Sequence, residues 1–154
     1  MRSEPTREAP PVSDAYNLER FVRAQERDYP QVLRELGSGR KRSHWMWYIF
    51  PQFRGLGFSS MSQRYAIGTV GEARAYLRHP VLGPRLRECS NAMLAIANHS
   101  AAEILGSPDD LKLRSCATLF AHVSPPGSEF ERLLQKYWQG EPDLATLGLL
   151  RGPA

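Results

Sequence analysis

Cysteine is nearly absent from this sequence: Cys89 and Cys116 are the only two in 154 residues. Each falls inside an apolar helical pattern, which argues against a disulfide framework or a paired-cysteine metal site. The expected compartment is the cytoplasm. Long apolar runs are also missing. Trp45–Phe50 spans six residues, far short of the roughly 20 that a membrane helix needs, so no membrane is expected. The N-terminal MRSEPTREAPPVSDAY mixes arginine with glutamate and has no apolar stretch, so it is not read as a secretory signal. Strand-like alternation, Asn-Gly or Asp-Gly hairpin turns and internal repeats do not occur. A phosphate-binding glycine loop, H-E-x-x-H and G-x-S-x-G are absent too. His44, His79, His99 and His122, the four histidines, are not spaced as a ligand pair on one helical turn. No metal and no cofactor is expected.

What is present points to helices. Residues 1–14, with three prolines and mixed charge, read as a disordered tail, and 15–150 as a single domain. Asn17 is the expected N-cap of a first helix, which Tyr29-Pro30 should break before a second helix that stops at Gly37. HWMWYIF reads as a short helix ended by Pro51, followed by a loop, RGLGFSS, and a short serine-capped helix. Thr69 with Glu72, Ser100 with Glu103 and Ser128 with Glu131 have the spacing of capping boxes and mark three further helix starts. Leu82, Leu86, Cys89, Met93 and Ile96 alternate steps of four and three, the seam of a packed helix over about 80–98. Ser107-Pro108 opens a helix with acidic Asp109 and Asp110 in its first turn. An amphipathic helix carrying Phe130, Leu133, Leu134, Tyr137 and Trp138 stops at Gly140, and DLATLGLL forms a last short one. The fold class is all-α: a single multihelical domain of about seven to eight helices.

The net charge is +4 and the pI about 9.3. The positive charge is almost all arginine, spread along the chain apart from Arg40-Lys41-Arg42. A nucleic-acid binder shows a denser stripe or a recognisable module, so the pattern argues against nucleic acid.

The chemistry concentrates in SHWMWYIFPQFRGLGFSS. His44, beside apolar groups, reads either as a general base or as a locally hydrogen-bonded residue. Trp45, Trp47, Tyr48 and Phe50 suit a core, yet four aromatics in six residues cannot all face inward from one short helix. Gln52 and Arg54 lie beside them. Gly55-Leu56-Gly57 permits a close backbone approach or a tight turn. Ser59 reads as a helix cap or a ligand contact, and His79, before Pro80, as a structural residue at a helix start. Asp109, Lys112 and Ser115 recur at steps of three and share a helix face. That face reads either as a surface ion pair or as the wall of a cleft opposite the aromatic segment.

SHWMWYIFPQFRGLGFSSMSQRYAI, EARAYLRHPVLGPRLRE and SPDDLKLRSCATLF, in that order, closely resemble the bacterial family called domain of unknown function 1810, some of whose members carry the label calpastatin. The match covers about Asn17 to Leu150. Cys116 and Ala117 depart from it, where the family pattern leads us to expect Ser and Met, and both read as core exchanges. The resemblance implies a small, mainly helical cytoplasmic protein and brings no mechanism with it. The polar residues on its motifs are His44, Gln52, Ser59, Tyr65, His79, Arg85, Asp109, Lys112 and Ser115.

Together these residues lead to the expectation of a polar, aromatic-walled pocket for a nucleotide- or phosphate-like small molecule, with hydrolysis as its reaction. His44 and Lys112 are the catalytic candidates. Trp45, Trp47, Gln52, Arg54, Ser59, Tyr65, His79, Arg85, Asp109 and Ser115 are the binding candidates. No nucleophile–base pair can be named, and no oligomeric state follows. The alternative is a non-enzymatic interaction module anchored by Trp45 or Trp138.

Overall fold

A computed structural model describes residues 14–152. The expected tail therefore lies outside the described residues except for Asp14. Within them the chain forms nine helices: α1 Glu19–Gly37, α2 Met46–Ile49, α3 Ser60–Arg64, α4 Val70–Arg78, α5 Leu82–Ala95, α6 Ala101–Leu105, α7 Asp109–His122, α8 Glu129–Trp138 and α9 Leu144–Leu150. The only extended pairing among the described residues is a single parallel bridge, Phe53 with Ile67. The molecule is all-α, as expected.

The first helix differs from its sequence reading in two ways. It runs unbroken through Pro30, although an internal proline costs about 3 kcal/mol. Phe21, Gln25, Val32 and Leu36 form one buried stripe on both sides of the proline, and burying that stripe against α5 and α2 outweighs the local cost. Asn17 is not the cap. It sits in the left-handed region at φ 53°, while the Asp14 carboxylate accepts from the N–H groups of Leu18 at 2.6 Å and Glu19 at 3.3 Å.

The serine and threonine caps behave as their spacing implies. Thr69, Ser100 and Ser128 each accept from the N–H three residues on, and the reciprocal glutamate contact is complete only at Ser100–Glu103. Glu72 reaches instead to the Gly68 N–H at 2.8 Å and to Arg20, and Glu131 to the Gly127 N–H at 2.7 Å.

The core is built around α7, whose residues from Ser115 to Phe120 are all buried. Cys116 and Ala117 are 1% and 0% exposed. Helices α6, α8 and α9 pack on α7, and α5 links α8 to α1 and α4. A chain of rings crosses this core from Tyr65 through Phe21, Tyr76 and Phe120 to Phe130, with centroids 5.1–5.7 Å apart. The α9 helix is fastened to α7 by Asp143. Its carboxylate accepts from the hydroxyls of Thr146 at 2.6 Å and Ser115 at 3.3 Å, while its N–H donates to Thr118 at 2.9 Å.

Gly83, in the first turn of α5, has no room for a side chain. A Cβ there would lie 2.1 Å from the backbone carbonyl oxygen of Leu77, whereas one on Gly148 in α9 meets nothing within 4 Å. Gly83→Ala is expected to destabilise the protein by about 1–3 kcal/mol and Gly148→Ala to stabilise it by about 0.5–1 kcal/mol. Urea denaturation of the two variants reads both signs.

Candidate functional site

Glu35, near the end of α1, is 2% exposed. Its Oε1 accepts from the N–H of Arg42 at 2.8 Å, the N–H of Ser43 at 3.0 Å and the indole Nε1–H of Trp45 at 2.9 Å. Its Oε2 accepts from the Ser43 hydroxyl at 2.6 Å and the Gln31 amide at 2.7 Å. Burial by itself pushes this carboxyl up. The hydrogen bonds from Ser43, Arg42, Gln31 and Trp45 outweigh burial and hold its pKa at about 2. These donors flank His44 on both sides, and the His44 side chain is left exposed.

His44 borders a surface cleft of about 670 Å³ between α1, the start of α2 and α3. Tyr48, Tyr65 and Met61 contribute ring and thioether surface. Arg20, Arg23, Arg27 and Arg64 surround it, and Glu19 is the single carboxylate in the lining. Two of the four arginines are engaged. Arg20 donates to the carbonyls of Tyr16, Asn17, Arg64 and Ala66 at 2.7–2.8 Å and pairs with buried Glu72 at 2.8 Å. Arg23 faces Glu19 at 3.6 Å on exposed surface, where such a pair is worth little. Arg27 and Arg64 carry no ion pair among the described residues, and Arg64 lies over the Tyr65 ring at 5.4 Å. Burial, with a hydrogen bond to Asp28, pushes the Tyr48 phenol above its ordinary pKa, so it stays neutral.

The expected site residues are distributed rather than gathered. His44 and Tyr65 share the basic cleft. Gln52 and Arg54 line a second hollow of about 290 Å³ with Phe53, Phe58 and Gln63. Trp45, Trp47, Asp109 and Lys112 do meet, and Lys41 joins them. Asp109 is held by Lys41 at 3.0 Å and Lys112 at 3.4 Å. The two ammonium groups lie 5.1 Å over Trp45 and 5.4 Å over Trp47 respectively. Indole and ammonium thus meet in direct contact, while His44 faces the cleft, whose lining includes neither the tryptophans nor Lys112.

The remaining four are engaged in contacts within the fold. Ser59 caps α3 by accepting from the Ser62 N–H at 3.1 Å. His79 Nδ1 accepts from Val81 and Leu82 at 3.1 and 3.2 Å. Ser115 donates to the carbonyl of Leu111 at 3.2 Å and to Asp143. Arg85 donates to buried Gln25 at 3.3 Å, lies 3.6 Å from Glu26 and covers the Tyr29 ring at 4.7 Å.

Glu35 and the arginines of α1 were missed. Their signal was present: Arg20, Arg23 and Arg27 recur at steps of three and four, one face of a helix. No group of three or more His, Cys, Asp or Glu that could hold a metal occurs among the described residues. Neither cysteine is disulfide-bonded. Burial pushes the Cys89 thiol up to about 12 and that of Cys116 well above its usual value.

Fold and site define a small multihelical protein with an arginine-lined surface cleft. The model of the family described as "Protein of unknown function (DUF1810)" matches residues 15–150, and the chain belongs to that family. Among solved structures it is similar to the crystal structure of the conserved hypothetical protein Rv1873 from Mycobacterium tuberculosis. The two are 48% identical, with a TM-score of 0.89, over 91% of this chain and 100% of that one. No curated protein matches it.

The Glu35 carboxyl has a folded pKa near 2 against 4.5 when free. Its contribution, about 3 kcal/mol, is present above pH 4.5 and is lost as pH falls towards 2. Glu35→Gln is therefore expected to be less stable than wild type at pH 7, with the difference narrowing below pH 4.5. Urea denaturation across this range tests it, and a pH-independent difference would refute the assignment.

Proposed function

We propose that this protein binds a small anionic ligand, of phosphate or nucleotide type, in the cleft beside His44. The observation that carries the reading is the guanidinium surplus of the lining: Arg27 and Arg64 carry no ion pair among the described residues, and Glu19, the single carboxylate there, already faces Arg23. Guanidinium groups gathered without matching carboxylates repel one another, and an anion relieves that repulsion. Tyr48 and Tyr65 are each 6% exposed, so charge rather than ring stacking is the main attraction. Where the ligand is turned over, His44 is the group in the cleft suited to take a proton from water, so hydrolysis is the reaction class. Lys112 would act only through a rearrangement that frees it from Asp109. The two buried free cysteines suit a reducing compartment, the cytoplasm. No helix among the described residues is long and apolar enough to cross a membrane.

A second reading, a protein-interaction module, is favoured by Phe58, which is 83% exposed beside the smaller hollow. The anchors first considered fit it less well, since Trp45 is 1% exposed and Trp138 packs against the core.

Thermal unfolding with inorganic phosphate, pyrophosphate and adenosine nucleotides tests the anion reading. A ligand at a hundred times its Kd adds about 2.7 kcal/mol, which raises Tm by roughly 5–10 °C in a chain of this size. Arg27→Ala and His44→Ala should reduce the rise, and added salt should weaken it. No rise with any of these anions at low salt overturns the reading.

A further inference from the structure

The basic cleft has a neighbour. A third hollow, of about 400 Å³, is lined by Tyr16, Asn17, Arg20, Arg54, Gln63, Arg64, Ala66, Gly68 and Glu72. Asn17, Arg20 and Arg64 belong to both linings, so the two hollows adjoin across a shared wall. Arg20 is neutralised within that wall by Glu72. The guanidinium groups without an ion pair among the described residues are Arg27 in the larger compartment, Arg54 in the smaller, and Arg64 in the lining of both.

Arg54 is seated rather than loose. Its guanidinium lies against the bare Cα of Gly68, where a Cβ would come within 2.5 Å of its Nη2, and it reaches the Gly68 carbonyl at 3.4 Å. The backbone beneath it is pinned by the bridge in which Arg54 N–H donates to Ile67 and Ile67 N–H to Gln52, both at 2.9 Å. Glu72, the one carboxylate in this compartment, is already engaged with Arg20 and the Gly68 N–H. This compartment therefore presents a positioned cation with no free carboxylate to answer it.

Resting on the anion reading above, we infer that the ligand carries two phosphate groups held apart by an organic spacer, one in each compartment, with Arg64 serving both. A nucleoside bisphosphate has this chemistry; a monophosphate fills only one of the two hollows. A guanidinium–phosphate contact is charge-assisted and can be bidentate, so the second phosphate adds a further contact at Arg54, which is exposed and therefore sensitive to salt.

Calorimetric titration of the full chain with adenosine 3′,5′-bisphosphate and adenosine 5′-monophosphate tests the inference. The wild type is expected to favour the bisphosphate by roughly tenfold or more, as one further charge-assisted contact implies. Arg54→Ala should bring the ratio of the two affinities close to one, and so should Gly68→Ala, which displaces the Arg54 guanidinium. Because each variant is read as a ratio within one protein, a general loss of stability does not imitate the effect. Equal affinities in the wild type, or a ratio unchanged in Arg54→Ala, overturn the two-compartment inference and leave the single-anion reading standing. Binding of neither probe overturns both.

Discussion

A carboxylate removed from water must be answered by hydrogen bonds, and Glu35 is the place where this requirement shapes the molecule. Its oxygens take donors from Gln31, Arg42, Ser43 and Trp45, so the segment after α1 folds back over the end of the helix that precedes it. An unanswered buried charge costs several kcal/mol, which leaves the segment one way to lie. That path seats Trp45 in the core and starts α2. It also leaves His44 facing out beside Tyr48. The cleft is thus a by-product of satisfying one acid in the interior.

Arg20 plays the complementary part. One guanidinium ties together the start of α1, the end of α3, the following loop and Glu72 of α4. Both buried ionic centres use α1 as their base, and the two adjoining hollows lie along the same helix. Apart from Arg20 and Arg23, the arginines that line them, Arg27, Arg54 and Arg64, carry no ion pair among the described residues.

Helix class and most helix starts were readable because they rest on bonds between residues three apart: Thr69, Ser100 and Ser128 each reach a neighbour that adjacent sequence already displays. Local rules failed where distant packing prevailed. Pro30 lies inside α1 because the stripe from Phe21 to Leu36 is buried along its whole length. Asn17 lost the capping role to Asp14, although asparagine and aspartate are about equal as caps. The contacts of Trp45 and Trp47 with Lys41 and Lys112 join segments some 65 positions apart in the latter case, and motif chemistry pointed only to Lys112. The basic cleft was not foreseen, because arginines on an exposed helix face ordinarily mean only a solvated surface. Their meaning depends on Tyr48, Arg64 and Tyr65 arriving from segments some 20 to 45 positions away, which no local pattern records.

Trp45 is unlike the other two tryptophans. Its indole N–H is held by a carboxylate and its buried ring lies under the Lys41 ammonium; Trp47 also lies under an ammonium, that of Lys112, but it and Trp138 are only partly enclosed. Opposite charges placed across an indole alter the energy of its excited state. The emission of this one side chain therefore carries an optical record of whether the loop bearing His44 is closed over Glu35, and the molecule holds its own probe of the site's assembly.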